Sequence, residues 1–242
     1  MKINLHCHTN YSDGDNIFNM ALEHKKQGFS AFVATDHVYP FVQKDKSSLF
    51  VSSYEEFKSQ AQELKQISMQ LEFSCIQGME LALWGEEVLV FGEKVSKEIF
   101  DFMGNTDLQK RSMQDDRLVF AKKWVVPIIQ IIKENTKDSA VVLCHPRLNP
   151  TNDWVLNSLY SVLDGYEFQN HGHYYFTDET NIADVRHRNR PVPPELENKN
   201  KFYNSDAHRT KEVLIGKSNF HNNKITTLND LILYIKTPQK YK

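Results

Sequence analysis

Short apolar runs alternate along this chain with longer segments in which apolar residues recur every three or four positions. Residues 2–5, 31–34, 73–77, 88–91, 140–144, 166–169 and 201–204 are short and rich in Ile, Val, Leu and Phe, the pattern of buried strands. Helical periodicity marks 16–27, 54–70, 121–135, 153–163 and 227–235. Gly28 stands where a C′ glycine would stop the first helix. Pro127 predicts that the third helix starts near it, because proline is tolerated in the first turn. Thr227 and Asp230 have capping-box spacing.

This alternation of strand and helix predicts a parallel sheet flanked by helices. Seven strands in 242 residues suggest one domain, 1–242, built as a closed or nearly closed barrel. A doubly wound open sheet is the other topology the pattern allows. Two stretches interrupt it. Residues 96–120 are polar and charged, and 171–199 carry Arg186, Arg188, Arg190 and the turn-rich 191–194. Both are expected to be excursions at the rim, and long loops of this kind often carry function.

Charge and cysteine content narrow the class. Lys plus Arg is 29 and Asp plus Glu is 31, a net charge of −2. That balance gives no electrostatic reason to bind long nucleic acid or an anionic membrane, while a small phosphorylated substrate needs only local cations. Cys7, Cys75 and Cys144 are odd in number and far apart, which points to a reducing compartment rather than a disulfide scaffold. The start MKINLHCHTN has no apolar signal region, and no apolar run reaches the roughly 18 residues of a membrane span. A cytoplasmic enzyme is expected.

The informative feature is the chemistry at the strand ends. The first strand ends in His6-Cys7-His8 with Asp13 in the next turn, and the second in Thr35-Asp36-His37. The third ends in Gly78-Met79-Glu80, the fifth in Cys144-His145-Pro146, and the last in Ser205-Asp206-Ala207-His208. In a parallel barrel such ends share one face, the face that carries active sites. His6 and His8 are two apart on extended chain, so both point to one side and Cys7 to the other, toward the helices. The candidate ligands are His6, His8, Asp13, His37, Glu80, His145, Asp206 and His208. Imidazole and carboxylate donors suit Zn, Mn or Fe(II), and with five histidines they suit Mg less. Eight donors are enough for two or three divalent ions, with Glu80 a candidate bridge. Taken singly, each motif also reads as a turn, a helix cap or a hydrogen-bonded histidine; it is their repetition at five strand ends that points to metal.

The remaining residues read more plainly. His24, among Glu23, Lys25 and Lys26, is expected to be solvated, and His187 and His221 to lie on the surface. His171 and His173 have no clear partner. The three cysteines are expected to pack in the core. Arg147 and Arg209, beside the strand-end histidines, are candidate phosphate clamps, since a planar guanidinium matches phosphate oxygens in pairs.

Together these motifs resemble those of the polymerase and histidinol phosphatase (PHP) family. The likeness is discontinuous but runs in order from residue 3 to residue 209. It implies a distorted seven-stranded (β/α) TIM-like barrel and a phosphoesterase centre. It implies one metal on His6, His8, Glu80 and Asp206, a second on Glu80 and His145, and a third on Asp13, His37 and His208. One position departs from the family pattern. Where many members have a histidine shortly after Gly-x-Glu, this chain has Glu87, a possible ligand or a solvated loop residue.

The expected chemistry is attack on phosphorus by a water that the metals activate as hydroxide. No Gly-x-Ser-x-Gly or phosphate-loop motif suggests a side-chain nucleophile. The substrate could be a small phosphate ester. Other readings are a histidinol-phosphate or protein-tyrosine phosphatase, a nuclease acting on oligonucleotide ends, and a metal-binding scaffold without catalysis.

Overall fold

The computed structural model describes residues 1–39, 50–83, 86–104, 117–145, 153–170, 194–213, 219–221 and 224–238. Two elements open the chain, β1 (Lys2–Ile3) and α1 (Ile17–Lys26). Asn16 caps α1, accepting from the Phe18 and Asn19 amides, and Gly28 comes after the helix at φ 72°, the left-handed conformation expected of it. Next come β2 (Phe32–Ala34), β3 (His37–Val38), α2 (Tyr54–Leu71), β4 (Cys75–Gln77), β5 (Met79–Ala82) and β6 (Glu87–Phe91). After these come α3 (Glu93–Gly104), α4 (Arg117–Glu134), β7 (Ala140–Leu143), α5 (Asp153–Tyr160), β8 (Gly165–Asn170), β9 (Asn200–Asn204), β10 (Asn219–Phe220) and α6 (Leu228–Lys236). Thr227 and Asp230 form the expected capping box at α6. Among the described residues no helix is long and apolar enough to cross a membrane.

The result is a mixed α/β fold. Among the described residues one sheet has six strands in the order β3-β5-β6-β7-β8-β9, and two pairs stand beside it, β2-β4 and β1-β10. Single hydrogen bonds continue the circuit between sheets. Thr35 N donates to Cys7 O (2.8 Å), Gly78 N to Ala34 O (2.8 Å) and His8 N to Ala207 O (2.9 Å). The strand ladders do not by themselves form a closed cylinder among the described residues.

Cross-strand pairing of β6 with β7 sorts their residues onto two sides of the sheet. Val88 pairs with Leu143 and Val90 with Val141, and all four pack with Ile99, Val125, Ile128 and Leu159 of the helices. Leu89 pairs with Val142 and Phe91 with Ala140, and these face the other way, joining Ile3, Leu5, Val33, Ile76 and Phe202 from other strands. Facing pairs share a side of a sheet, so this alternation fixes which face every neighbouring residue presents.

The sheet departs from the all-parallel expectation. β6 runs antiparallel to both β5 and β7. The physical reason is the short connection between β5 and β6, closed by Leu83 N donating to Glu86 O (2.7 Å), because only antiparallel neighbours can be joined so briefly. Glu87 accordingly lies in a strand and not in a loop.

Two helix expectations are corrected. The start of the supposed 96–120 excursion is α3, whose Val95, Ile99 and Phe100 are buried at helical spacing among charged residues on the other face. The excursion at 171–199 falls largely outside the described residues. α4 begins at Arg117, with Pro127 inside it. An interior proline costs about 3 kcal/mol, whereas burying Val125, Ile128 and Ile132 returns about 1.5–3 kcal/mol each, so packing outweighs the lost backbone bond.

Candidate metal centre

The strand ends bring the eight candidate residues together. His6 and His8 lie on the extended chain after β1, and their Nε2 atoms meet 3.1 Å apart. Both are fully buried. Asp206, just past β9, places Oδ1 2.9 Å from His8 Nε2 and 3.2 Å from His6 Nε2. It does so from φ 52°, a conformation that a non-glycine residue adopts at a cost and that often marks a functional position.

Glu80 of β5 is central. Its carboxylate lies 3.2 Å from His6, 3.5 Å from His8, 2.6 Å from His37 and 3.0 Å from His145. Asp13 Oδ1 lies 3.8 Å from His8, 3.6 Å from His37 and 3.4 Å from His208. Buried Asp13 Oδ1, His37 Nδ1 and Glu80 Oε2 make no aligned hydrogen bond. Buried carboxylate and imidazole atoms crowded in this way are costly unless a proton or a cation sits among them. Among the described residues three groups have donor atoms close enough to share an ion: His6, Glu80, Cys144 and His145; His8, Asp13, His37 and His208; and His6, His8 and Asp206. A set rich in imidazole and carboxylate fits Zn, Mn or Fe(II) better than Mg.

The carboxylates shape the protonation of this cluster. Burial opposes charge on His6, but Asp206, Glu80 and Glu167 outweigh it and raise its pKa well above the usual value. Burial likewise opposes charge on His37 and His145, yet Asp13 and Glu80 bring His37 up to about 10, and Glu80 brings His145 up to about 9. Burial dominates at His8 and lowers its pKa. Burial raises the carboxyl pKa of Glu80 and Asp206, but the charge of His6 and neighbouring imidazole hydrogen bonds hold both low. The Cys144 thiol is pushed up by burial and by Glu80. Divalent ions, where bound, would displace protons from these groups.

A shell of supports orients these groups, and sequence reasoning missed its key member. Glu167, in the middle of β8, accepts from His6 Nδ1 (2.8 Å), from the His145 amide (2.7 Å), and from Asn170 (2.7 Å) and Asn204 (2.8 Å). Held this way, His6 directs Nε2 to the cluster, as metal-binding histidines require. The signal was an acidic residue between the aromatic Tyr166 and Phe168 of a strand. His208 Nδ1 likewise donates to Asp206 O (3.0 Å). Asp36 turns away from the cluster and ties down the loop after β1, accepting from the Thr9 amide (2.6 Å), Thr9 Oγ1 (2.7 Å), Ser12 and Gln60.

Other expectations fare differently. His24 is not solvated: it is fully buried, with Nδ1 2.8 Å from Met20 O and Nε2 3.3 Å from Cys7 Sγ. His221 is also buried, 2.9 Å from Ser30 Oγ. Cys7, Phe29 and Phe32 lie against His24, and Met1, Ser30 and Tyr234 against His221, which no local pattern of charge announces. Cys75 is only partly buried. Arg209 is half-exposed and braces the rim, donating to Asp13 O (3.0 Å) and pairing with Asp15 (3.5 Å). Arg147, His171, His173, His187 and the arginines at 186, 188 and 190 lie outside the described residues.

No protein-family model matches the chain, and no curated protein matches it. Solved structures do. The chain is similar to a "putative metal-dependent phosphoesterase" from Bifidobacterium adolescentis, at 17% identity and TM-score 0.51, over 97% of this chain and 96% of that one. At that identity the likeness concerns the fold. It is also similar to a two-domain protein from Bacteroides vulgatus containing a "predicted PHP-like metal-dependent phosphoesterase" (16% identity, TM-score 0.48). That match covers 88% of this chain and 53% of that protein, so the chain spans about half its length. A third likeness is to PsfC from Pseudomonas syringae, at 11% identity and TM-score 0.48 over 95% of this chain and 86% of that one.

Proposed function

We propose that this protein is a PHP-like metal-dependent phosphoesterase, a distorted (β/α) barrel that hydrolyses a small phosphate ester at this cluster. The observation that carries the reading is the buried meeting of imidazole and carboxylate acceptors from five separate strand ends, with His6 Nε2 and His8 Nε2 3.1 Å apart. His6, His8, Glu80 and Asp206 would hold one divalent ion, Glu80 and His145 a second, and Asp13, His37 and His208 a third. Such ions, when bound, polarise a water and neutralise phosphate oxygens.

The chain's own part is positioning. Glu80 lies within 3.5 Å of four imidazoles and so can serve neighbouring ions at once. Glu167 fixes the direction of His6. Asp13, partly exposed at the rim, marks the open side where a phosphate enters. Arg209, anchored on Asp13 O, stands beside that entrance as a candidate phosphate contact, with Arg147 the other. The test is a screen of the purified full chain, stripped of metal and then reloaded with Zn, Mn, Fe(II) or Mg. The panel holds phosphorylated small molecules, histidinol phosphate, a phosphotyrosine peptide and a short single-stranded oligonucleotide. Turnover that depends on metal and favours small monoesters supports the reading. Metal binding without turnover of any phosphoester overturns it in favour of a scaffold.

A further inference from the structure

The second of these metal positions is the least furnished, because Glu87 stands where the resemblance leads one to expect a histidine. The strand register shows what fills the gap. β6 and β7 pair antiparallel with Val88 opposite Leu143 and Leu89 opposite Val142. Continuing the ladder places Glu87 opposite Cys144, and the Cys144 amide donates to Glu87 O (2.9 Å). Opposed residues share a face. Val88 and Leu143 face the helices, and Leu89 and Val142 face inward, so Glu87 and Cys144 return to the inward face. They are the last residues of that face before His145, and they point to the end of the sheet where the cluster lies.

Side-chain positions agree. Cys144 is 1% exposed, and its Sγ lies within 4.8 Å of ligand atoms of His6, Glu80 and His145. Glu80 Oε1 is 3.0 Å from His145 Nε2 and 3.2 Å from His6 Nε2. Those spacings are close to the edge, about 3.3 Å, of a tetrahedron whose corners lie 2.0–2.1 Å from a central ion. Glu87 Oε2 is 3.4 Å from His145 Nε2, on the same side. His6 has one lone pair at Nε2, which also lies near His8 and Asp206, so it can leave this group for another ion. Glu80, His145 and Cys144 then remain, with Glu87 beside His145.

We infer that Cys144 is a ligand of the metal held by Glu80 and His145, giving this chain a mixed sulfur, nitrogen and oxygen site. This role for Cys144 rests on the metal-dependent reading of the cluster. On binding, the S–H bond breaks, a sulfur–metal bond forms, and the proton leaves to water. A soft thiolate shifts preference toward Zn and away from Mg and Mn. Cys7 does not compete: its sulfur is turned to the other side, against Asn4 Nδ2 (2.8 Å) and His24 Nε2 (3.3 Å).

The test uses the full chain, stripped of metal and titrated with Co(II) as a spectroscopic probe. The expected result is a sulfur-to-cobalt charge-transfer absorption in the wild type, retained in Cys7→Ser and lost in Cys144→Ser, with Co(II) affinity at that site weakened about tenfold or more. X-ray absorption of the Zn-loaded wild type, which needs no variant to fold, is expected to show a Zn–S distance of about 2.3 Å. Binding of Co(II) or Zn with nitrogen and oxygen ligands only overturns the role of Cys144 and leaves the metal centre standing. A sulfur band that survives Cys144→Ser also overturns it. Failure of the wild type to bind either ion overturns the metal-dependent reading itself.

Discussion

Glu80 Oε2 and His37 Nδ1 stand 2.6 Å apart, both buried, without the alignment of a hydrogen bond. A proton on the imidazole or a cation beside the two atoms stabilises such a pair. Glu80 also reaches His6, His8 and His145, so its removal should weaken more than one ion position. Glu80→Gln keeps the shape and removes the charge. It is expected to lose more than one equivalent of metal in elemental analysis and to cut phosphoesterase turnover by about 100-fold or more, since changes even to outer supports of metal sites cost 10–100-fold. Full metal content and full turnover would remove Glu80 from the centre.

Glu167 acts through His6, and its variant should separate binding from chemistry. In Glu167→Gln the amide oxygen still accepts from His6 Nδ1, but the negative charge behind the imidazole is gone. Metal affinity is expected to fall about 10–100-fold. At saturating metal, turnover should recover and KM for substrate should stay unchanged. Metal titrations of binding and of rate check this together. A deficit in kcat that persists at saturation would mean that Glu167 acts on the reacting atoms directly.

How much of this was legible beforehand depends on the range of the physics. His6 and His8 could be read because a two-residue spacing on an extended chain fixes which side each faces. Gly28 and Thr227 could be read because capping is local. Glu167 could not be assigned, since its role depends on β8 lying beside β7 and β9, a pairing set by residues far apart in sequence. His24 looked solvated because its neighbours in sequence are charged, yet helical geometry turns it inward while Lys25 and Lys26 turn out. The reversal of β6 was missed for the same reason: an apolar run has no direction, and only the short turn before it sets one.

The loop after β1 makes a steric prediction. Gly14 N donates to Thr9 O (2.8 Å), folding the loop back over the strand that carries His8. A Cβ at Gly14 would be driven into the His8 carbonyl and the Thr9 nitrogen. Those are backbone atoms, so relief requires the His8 segment to move. Gly14→Ala is expected to cost about 1–3 kcal/mol in chemical denaturation, as overpacked sites do, and to lower metal content as well. Gly104→Ala, where a Cβ meets nothing within 4 Å, is the control and should match wild type on both measures. Equal behaviour of the two variants would show that the loop is not tied to the centre.

The buried His24 makes a prediction about pH. Burial lowers its pKa from the ordinary 6.5 to about 4. Between those values the unfolded chain takes up a proton that the folded protein refuses, so stability rises with pH. The contribution is complete above about pH 6.5 and is lost as pH falls toward about 4, a span worth about 3 kcal/mol. Other buried imidazoles titrate too, so the informative quantity is a difference between proteins. His24→Asn is expected to be less stable at pH 7, because the contacts to Cys7 and Met20 change. Its stability should then fall less than that of wild type between pH 6.5 and 4. Urea unfolding of the metal-free forms across that range measures both slopes, and parallel curves would show that His24 takes up its proton without leaving the fold.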